Sequence, residues 1–430
     1  MAVSVEALAP PLCVELDGTL IRSDVLLESV LLLLKRNPLY LFLAVFWLLR
    51  GGRAGLRAQI ASRVTPNPAA LPYNRELLAW LKQERSHGRP LWLCTVANEK
   101  LASAVAQHVG LFDGVLADQP AEHFGPGAFE YARKFPASQK RLGALVRALR
   151  PHQWAKNALL LIPLCAAHLM GDLEALTHTL LAIVAFSLCA SSVYLLNDML
   201  DLEADRAHPR KSKRPFAAGD LSLAAGFVLI PALLAGAVLI AAFLPERFQL
   251  VLAVYYCLTA AYSFVLKRFL LIDAVALAGL YTLRVIAGAG AADVALSFWL
   301  LLFSVFLFLS LAFVKRYSEL DSLRRQQRLQ AVGRGYHVED LTVLQSLGTA
   351  AGYLSVLVLA LYINSPDIQA LYHRPKVIWT LCVLMLYWVS RVWMTAHRGA
   401  MHDDPVVYAL KDRVSLVIGL LAVIAIALAV

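Results

Sequence analysis

Residues 176–214 read LTHTLLAIVAFSLCASSVYLLNDMLDLEADRAHPRKSKR. From Leu176 to Leu196 the stretch holds no Asp, Glu, Lys or Arg, close to the ~20 residues a helix needs to cross the hydrocarbon core. It then turns acidic at Asn197-Asp198-Met199-Leu200-Asp201-Leu202-Glu203-Ala204-Asp205. If the helix continues, Asp198, Asp201 and Asp205 fall at i, i+3 and i+7 and share one face. Carboxylates that close repel, so the pattern calls for a cation. Oxygen-only ligands with open positions suit Mg²⁺, which is typically held by a carboxylate or two together with substrate phosphates. Arg206, His208, Arg210, Lys211, Lys213 and Arg214 follow directly, a cationic run suited to the far end of a diphosphate. Acids, metal and bases together point to a polyphosphate. An ordinary solvated loop would explain the bases but not the stacked acids.

The composition sets this helix in a membrane protein. The 430 residues are 59% hydrophobic and only 16% charged, with a mean hydropathy of +0.62, whereas a soluble domain carries about 25% charged residues. Disordered, collagen-like and disulfide-rich secreted classes are excluded. The six cysteines, Cys13, Cys94, Cys165, Cys189, Cys257 and Cys382, stand singly in apolar stretches, with no spacing for zinc or a redox pair, and are expected to be core packing. Past Arg150, apolar runs recur at 153–171, 176–196, 222–244, 248–266, 271–290, 294–313, 347–364, 376–394 and 413–430. The expected fold class is therefore an all-α polytopic membrane protein of nine transmembrane helices behind an N-terminal soluble α/β domain. The first span is interrupted by Lys156, Asn157 and Pro163.

Lys and Arg gather in alternate connections: Arg206 to Arg214, then Lys267 and Arg268, then Lys315 to Arg334, then Arg391 to Arg413, against only Arg247, Arg374 and Lys376 on the other side. The positive-inside rule makes the first set cytoplasmic, with the N-terminal domain and the acidic helix end on that side. No cleavable signal peptide is expected. The net charge of +10 reads as topology and anionic-substrate handling, with no nucleic-acid footprint. Oligomeric state stays open.

On the same side lie Tyr262, Lys267 and Asp273. Asp273 and Arg284 are 11 residues apart, three turns, and share a helix face. Ionisable groups within a span are functional candidates by default. Asp273 suits a second metal or a substrate hydroxyl, and Arg284 needs an anionic partner, Asp273 itself being the simplest one. The loop from Lys315 to Leu347, its first residues to Leu320 continuing the sixth span, carries Arg324, Arg325, Arg328 and Gly333-Arg334-Gly335; it suits a lid over a phosphate or a basic surface touching anionic lipid. Asp403-Asp404-Pro405 is a weaker metal candidate, better read as a turn and helix cap.

Asn197-Asp198-x-x-Asp201-x-x-x-Asp205, followed by a basic loop and Arg214-Pro215-x-Ala217-x-Gly219, resembles the first aspartate-rich motif of the UbiA superfamily of intramembrane prenyltransferases. The resemblance covers residues 147–430 and implies nine helices with paired cytoplasmic motifs. Within the superfamily, Leu149-Arg150-Pro151-His152-Gln153-Trp154-Ala155-Lys156-Asn157, Glu203-Ala204-Asp205-Arg206-x-His208-Pro209, and Tyr262-Ser263-x-x-Leu266-Lys267 with Asp273 and Arg284-Val285-Ile286-Ala287-Gly288 look like the polyprenyl-phosphate (decaprenyl-phosphate) phosphoribosyltransferases. Many aromatic prenyltransferases of the superfamily carry two aspartates four apart in the second motif; four residues after Asp273 stands Leu277. The likeness implies Mg²⁺-dependent transfer of phosphoribosyl from phosphoribosyl diphosphate to a polyprenyl phosphate, in a bacterial cytoplasmic membrane. Asp198 and Asp201, helped by Asp205, would carry the metal; Lys156, Lys211, Arg214 and Lys267 would hold phosphates; Asn197 would bond the sugar or a metal-bound water. Asn157, Tyr262 and Arg284 complete the substrate-binding set, and Asp273 the catalytic one.

Residues 1–145 form the second region. Leu12-Cys13-Val14-Glu15-Leu16-Asp17-Gly18-Thr19-Leu20 resembles the first motif of haloacid-dehalogenase (HAD) phosphohydrolases, with Glu15 where that family has its aspartate nucleophile. One extra methylene moves the attacking carboxylate by roughly 1 Å, enough to ruin near-attack geometry. Leu91-Trp92-Leu93-Cys94-Thr95 resembles the second motif, but past Phe112-Asp113 the segment Gly127–Lys134 ends in bases and lacks the acids of the later motifs. A degenerate, catalytically silent HAD-like domain is expected. Val25–Leu34 and Leu39–Leu49 are each too short to span and read as a hairpin, over 25–50, lying in the membrane interface or as a buried cap core. The reading that competes with phosphoribosyl transfer is prenyl transfer from a polyprenyl diphosphate to an aromatic acceptor. A non-catalytic lipid scaffold and a lipid phosphatase acting through the N-terminal domain are set against the intact acidic motif and against Glu15.

Overall fold

The computed structural model describes residues 10–96, 98–117, 130–133, 141–208, 210–327, 334–365, 372–401 and 404–429. These divide into two compact units, one of residues 1–149 with 194–232, the other of 150–193 with 233–430.

The first unit opens on a parallel sheet. Strands β1 (Leu12–Glu15), β2 (Leu91–Thr95), β3 (Gly114–Ala117) and β4 (Glu130–Tyr131) order as β3-β2-β1-β4. Leu12 pairs with Leu91 and with Glu130, and Trp92 with Gly114. The central strands are buried over most of their length, as their unbroken apolar runs require of a parallel sheet covered on both faces. Leu12, Val14, Leu91 and Leu93 are fully enclosed, together with Leu77 and Leu81 of α3 (Arg75–Ser86) and Leu101, Ala102 and Val105 of α4 (Glu99–Val109). Asn74 and Asn98 cap these helices, and Gly110 in the left-handed region ends α4, the conformation glycine adopts at lowest cost. Cys13 and Cys94 are joined as a disulfide across β1 and β2, their Cα atoms 6.0 Å apart. This corrects the expectation of six unpaired cysteines, because parallel neighbours bring residues distant in sequence side by side.

Helix α1 (Val25–Arg36) buries Val25, Val30, Leu31, Leu33 and Leu34, so it packs into the core of this region. Helix α2 (Tyr40–Ala61) breaks at Gly52, whose φ of 59° is non-helical, and buries only Ala44, Leu56 and Ile60. Helix α5 covers Arg141–Leu149.

Membrane-type helices make up the rest. The segment expected as a first span at 153–171 is not one helix: α6 (Pro151–Trp154), a 3₁₀ stretch over Ala155–Leu160 and α7 (Leu161–Ala166) follow one another. Pro163 lacks the N–H that a continuous helix needs, and Lys156 and Asn157 are buried in the 3₁₀ stretch. Helix α8 runs Leu173–Leu200, α9 Leu202–Arg206, α10 Leu223–Ala241, α11 Glu246–Phe264, α12 Ile272–Ala291, α13 Phe298–Arg325, α14 Leu341–Ile363, α15 Pro375–His397, α16 Pro405–Lys411 and α17 Arg413–Ala429. Among the described residues, six single helices are long and apolar enough to cross a membrane, or seven if α16 and α17, bent by 77°, form one span. Expected spans at 153–171 and 248–266 are not among them.

Helix α12 is the axis of the second unit. Its buried positions are largely Ala and Gly, the small residues that let neighbouring backbones approach in a membrane bundle. At Gly288 a Cβ would stand 2.1 Å from the carbonyl oxygen of Leu160. Helices α13, α14 and α15 meet through Trp393, whose Nε1 donates to Ser310 Oγ at 3.1 Å while Ser310 Oγ donates to the Gly348 carbonyl at 2.7 Å. Gly348 leaves the room that the Trp393 ring fills.

Candidate functional site

In the first unit the acidic stretch does not continue the helix. Helix α8 ends at Leu200, and Asp201, with φ −101° and ψ 16°, stands at the N-cap of the short α9. The break divides the three carboxylates. Asp198 Oδ1 and Asp205 Oδ2 converge on one nitrogen, Arg214 Nη1, at 3.0 and 2.7 Å, both carboxylates almost wholly buried. Asp201 turns instead to Lys35 Nζ of α1, 3.7 Å away. The single acidic face expected from i, i+3, i+7 spacing is thus corrected to a pair closed by an arginine, and no group of three or more His, Cys, Asp or Glu stands at metal-holding spacing among the described residues. Burial pushes the Asp205 carboxyl upward, opposed by the charge of Arg214. Asn197, in the last turn of α8, accepts the Asp201 backbone N–H through its carbonyl. Lys211 begins a 3₁₀ turn ending at Lys213, and Arg214 follows it in extended backbone.

One pair in this unit was not foreseen. Arg206 donates to Glu28 of α1 through two nitrogens, at 2.7 and 3.0 Å, and to the carbonyls of Ala70 and Ala217 at 3.1 and 3.2 Å. The basic loop after the acidic stretch is thus fastened to the sheet-bearing region, where Asn67 also donates to Glu203.

The second unit holds three connected polar clusters. Arg284 of α12 does not pair with Asp273, the structural alternative that their shared face had raised. Its Nε donates to Asn157 Oδ1 at 3.0 Å, its Nη2 to Tyr255 Oη at 2.9 Å and its Nη1 to the Leu280 carbonyl, and the guanidinium lies over the rings of Phe186, Tyr255 and Tyr281. Asn157 in turn donates to Ser187 at 2.8 Å. Neutral oxygens and ring faces thus line the guanidinium.

Asp273 is instead neutralised by Arg316. Arg316 Nε sits 2.7 Å from Asp273 Oδ2, Tyr262 Oη donates to Asp273 Oδ1 at 2.7 Å, and Arg334 Nη1 approaches Asp273 and Glu319 at 3.5 and 3.4 Å. Arg316 also pairs with Glu319. Helix α13 runs twelve residues past the expected end of its span, so Lys315 to Leu320 continue the helix, as expected, and Arg316 lies inside it. Arg334 and its neighbours are docked: Tyr336 Oη accepts the Leu271 N–H, and Gly335 lies against the Arg268 carbonyl. Arg328 and Gly333 lie outside the described residues. Lys267 occupies a short 3₁₀ turn between α11 and α12.

The third cluster centres on Asp404, which caps α16 as expected but does more. Its Oδ2 receives both Lys156 Nζ and Lys315 Nζ at 2.9 Å, and its Oδ1 receives Tyr281 Oη at 2.7 Å. Two lysines thus converge on one buried carboxylate. Asp403 lies outside the described residues.

The UbiA prenyltransferase family model matches residues 159–411. A Sinorhizobium fredii protein described as uncharacterized protein y4nM is 33% identical, over 96% of this chain and 89% of its own length. The decaprenyl-phosphate phosphoribosyltransferase of Corynebacterium glutamicum is 32% identical, over 70% of this chain and 91% of its own. Among solved structures, a UbiA homolog from Archaeoglobus fulgidus, bound there to DMAPP and Mg²⁺, aligns with a TM-score of 0.50 at 17% identity, over 66% of this chain and 96% of that one. That identity speaks for the fold alone. With the model matching over half of the sequence and a relative aligned along nearly all of it, this membrane-embedded chain belongs to the UbiA prenyltransferase family.

Proposed function

We propose that the protein transfers phosphoribosyl from phosphoribosyl diphosphate to a polyprenyl phosphate, on the cytoplasmic side of a bacterial inner membrane. The observation that carries it is the convergence of Asp198 and Asp205 on a single cationic nitrogen of Arg214 at the end of an apolar helix. The name of the C. glutamicum relative supports the choice of substrates. Two buried carboxylates aimed at one positive centre are a donor set that fits Mg²⁺, which needs few protein ligands when substrate phosphates supply the rest. When bound there, Mg²⁺ would stabilise the charge gathering on the departing diphosphate. In the first unit Asp198, Asp201 and Asp205 would hold the metal, while Arg214 and Lys211 bind phosphate oxygens and Asn197 bonds a sugar hydroxyl. In the second unit Lys156 binds a phosphate and Lys267 supports it. Arg284 fixes Asn157, and Asp273 holds Tyr262 and Arg316 in place. The acceptor phosphate is already an anion, so no strong base is required. The prenyl chain lies along apolar helix faces. In this reading the segment 151–166 and helix α11 complete nine membrane helices.

For the N-terminal region we propose a silent HAD-like domain. The parallel order β3-β2-β1-β4, with Glu15 exposed at the end of β1 and Asp17 accepting the Val25 N–H at 2.8 Å, supports that ancestry. The later motifs fall largely on residues 118–129 and 134–140, outside the described set.

The test is product formation by the purified protein with Mg²⁺, polyprenyl phosphate and radiolabelled phosphoribosyl diphosphate, beside a reaction with polyprenyl diphosphate and 4-hydroxybenzoate. Label in the lipid of the first tube, abolished by Asp198→Ala, is the expected result. Product only in the second tube replaces the donor and turns the reading to aromatic prenyl transfer.

A further inference from the structure

The first half of α2 is the most exposed apolar surface in the sheet-bearing region. Eight large hydrophobic side chains between Leu39 and Leu49 are exposed, led by Leu49 at 82%, Phe42 at 73% and Leu39 at 65%. Only Ala44 is buried in that half. A soluble domain does not leave such a patch without a partner.

Two features identify the partner. First, length: Tyr40 to Gly51 is about 18 Å of helix, well short of the ~30 Å hydrocarbon core, and the break at Gly52 ends the apolar segment, so it cannot span. Second, charge: between Glu28 and Glu76 the sequence has no acid, while Lys35, Arg36, Arg50, Arg53, Arg57 and Arg63 fall in that stretch. Arg50 folds back over the Phe46 ring at 5.9 Å and Arg63 over Trp47 at 4.7 Å, placing guanidinium groups along the border of the apolar surface. A short apolar helix with guanidinium groups along its border suits burial at the boundary between acyl chains and anionic headgroups. A protein partner would have to bring both a large apolar groove and an acidic rim, and the bilayer that this chain already occupies supplies both.

We propose that Leu39–Leu49 lies in the plane of an anionic membrane leaflet, with Phe42, Phe46 and Leu49 among the acyl chains and Arg50 and Arg53 at the phosphates, as a second anchorage that does not depend on the membrane-spanning helices. The proposal concerns this surface alone and stands whatever reaction the protein catalyses.

The test places a nitroxide at Phe42→Cys or Leu49→Cys of the full chain, in a background whose exposed Cys165 and Cys257 are serine, reconstituted in vesicles of phosphatidylcholine and phosphatidylglycerol. Collision with oxygen severalfold more effective than with a water-soluble nickel chelate is expected at both sites, against the reverse at Gln83→Cys on exposed α3. Arg50→Glu with Arg53→Glu, or pure phosphatidylcholine vesicles, should shift both labels toward the aqueous relaxant. Nickel access at Phe42 and Leu49 equal to that at Gln83 overturns the proposal. Dipolar broadening between labels on separate copies overturns it in favour of self-association.

Discussion

Replacing Glu28 by Ala strips Arg206 of its bidentate partner in a place where water cannot substitute for it. The two side chains are 6% and 10% exposed. Removing one member of a buried pair costs about 3–5 kcal/mol. Arg206 keeps two carbonyl partners, at Ala70 and Ala217, so the loss expected here is about 2–3 kcal/mol. That converts to hydrogen exchange roughly 30- to 150-fold faster in segments whose opening breaks the pair. The assay is exchange mass spectrometry on the full chain in micelles, following peptides from α1 and from residues 202–208, with β2 and α15 as internal references. Glu28→Leu with Arg206→Met removes both charges together and should recover most of the protection, because a buried pair replaced by apolar groups is often neutral. Exchange within about threefold of wild type in the single variant would refute the argument that this pair fastens the basic loop. Equal exposure of single and double variants would assign the effect to lost packing rather than to a stranded cation.

Burial raises the Asp17 carboxyl to about 6 from 3.8, with the Val25 N–H only partly opposing it. An acid raised on folding favours the protonated form, so its contribution is fully present below 3.8 and is lost as pH rises through about 6. The stability lost by neutral pH is up to about 3 kcal/mol. Asp17→Asn should flatten this dependence in exchange measured across that range, and parallel profiles for the two proteins would count against it. In the second unit, Gly288→Ala drives a methyl group into the Leu160 backbone, and overpacking of that kind costs about 1–3 kcal/mol. A lowered melting temperature in micelles is expected, with loss of transfer because Lys156 and Asn157 sit on the displaced segment; an unchanged melting temperature would show that the 3₁₀ stretch yields freely.

Helix position was legible wherever apolar runs were long and uninterrupted: α8, α10, α12 and α15 fall within a few residues of their expected bounds. The limits lay where polar residues carry long-range partners. Lys156 and Asn157 looked like an awkward start to a helix, and only the fold shows them bonded to Asp404 and to Arg284. Arg316 was placed on the continuing helix, but its pairing with Asp273 of α12 was not legible, because that carboxylate comes from another helix. Asp404 looked like a cap, and it is one, but nothing local announces the two lysines that converge on it. The acidic stretch was recognisable as chemistry and was misjudged as geometry: spacing puts three aspartates on one face only if the helix continues, and Asp201 ends it. Tyr262 and Asp273 were chosen singly, and the structure joins them directly.

Arg214 has a consequence for how the acidic pair would take up a metal. An aspartate pair with no cation between it would be self-repelling and would depend on its ion to fold. Here a guanidinium already serves as an internal counterion. Any metal ion held by Asp198 and Asp205 would have to compete with Arg214 Nη1, which both carboxylates already face at 3.0 and 2.7 Å. With its charge already balanced, such a pair would keep its fold in the presence of chelators and would favour an ion that arrives together with a phosphate, the phosphate offering Arg214 another partner.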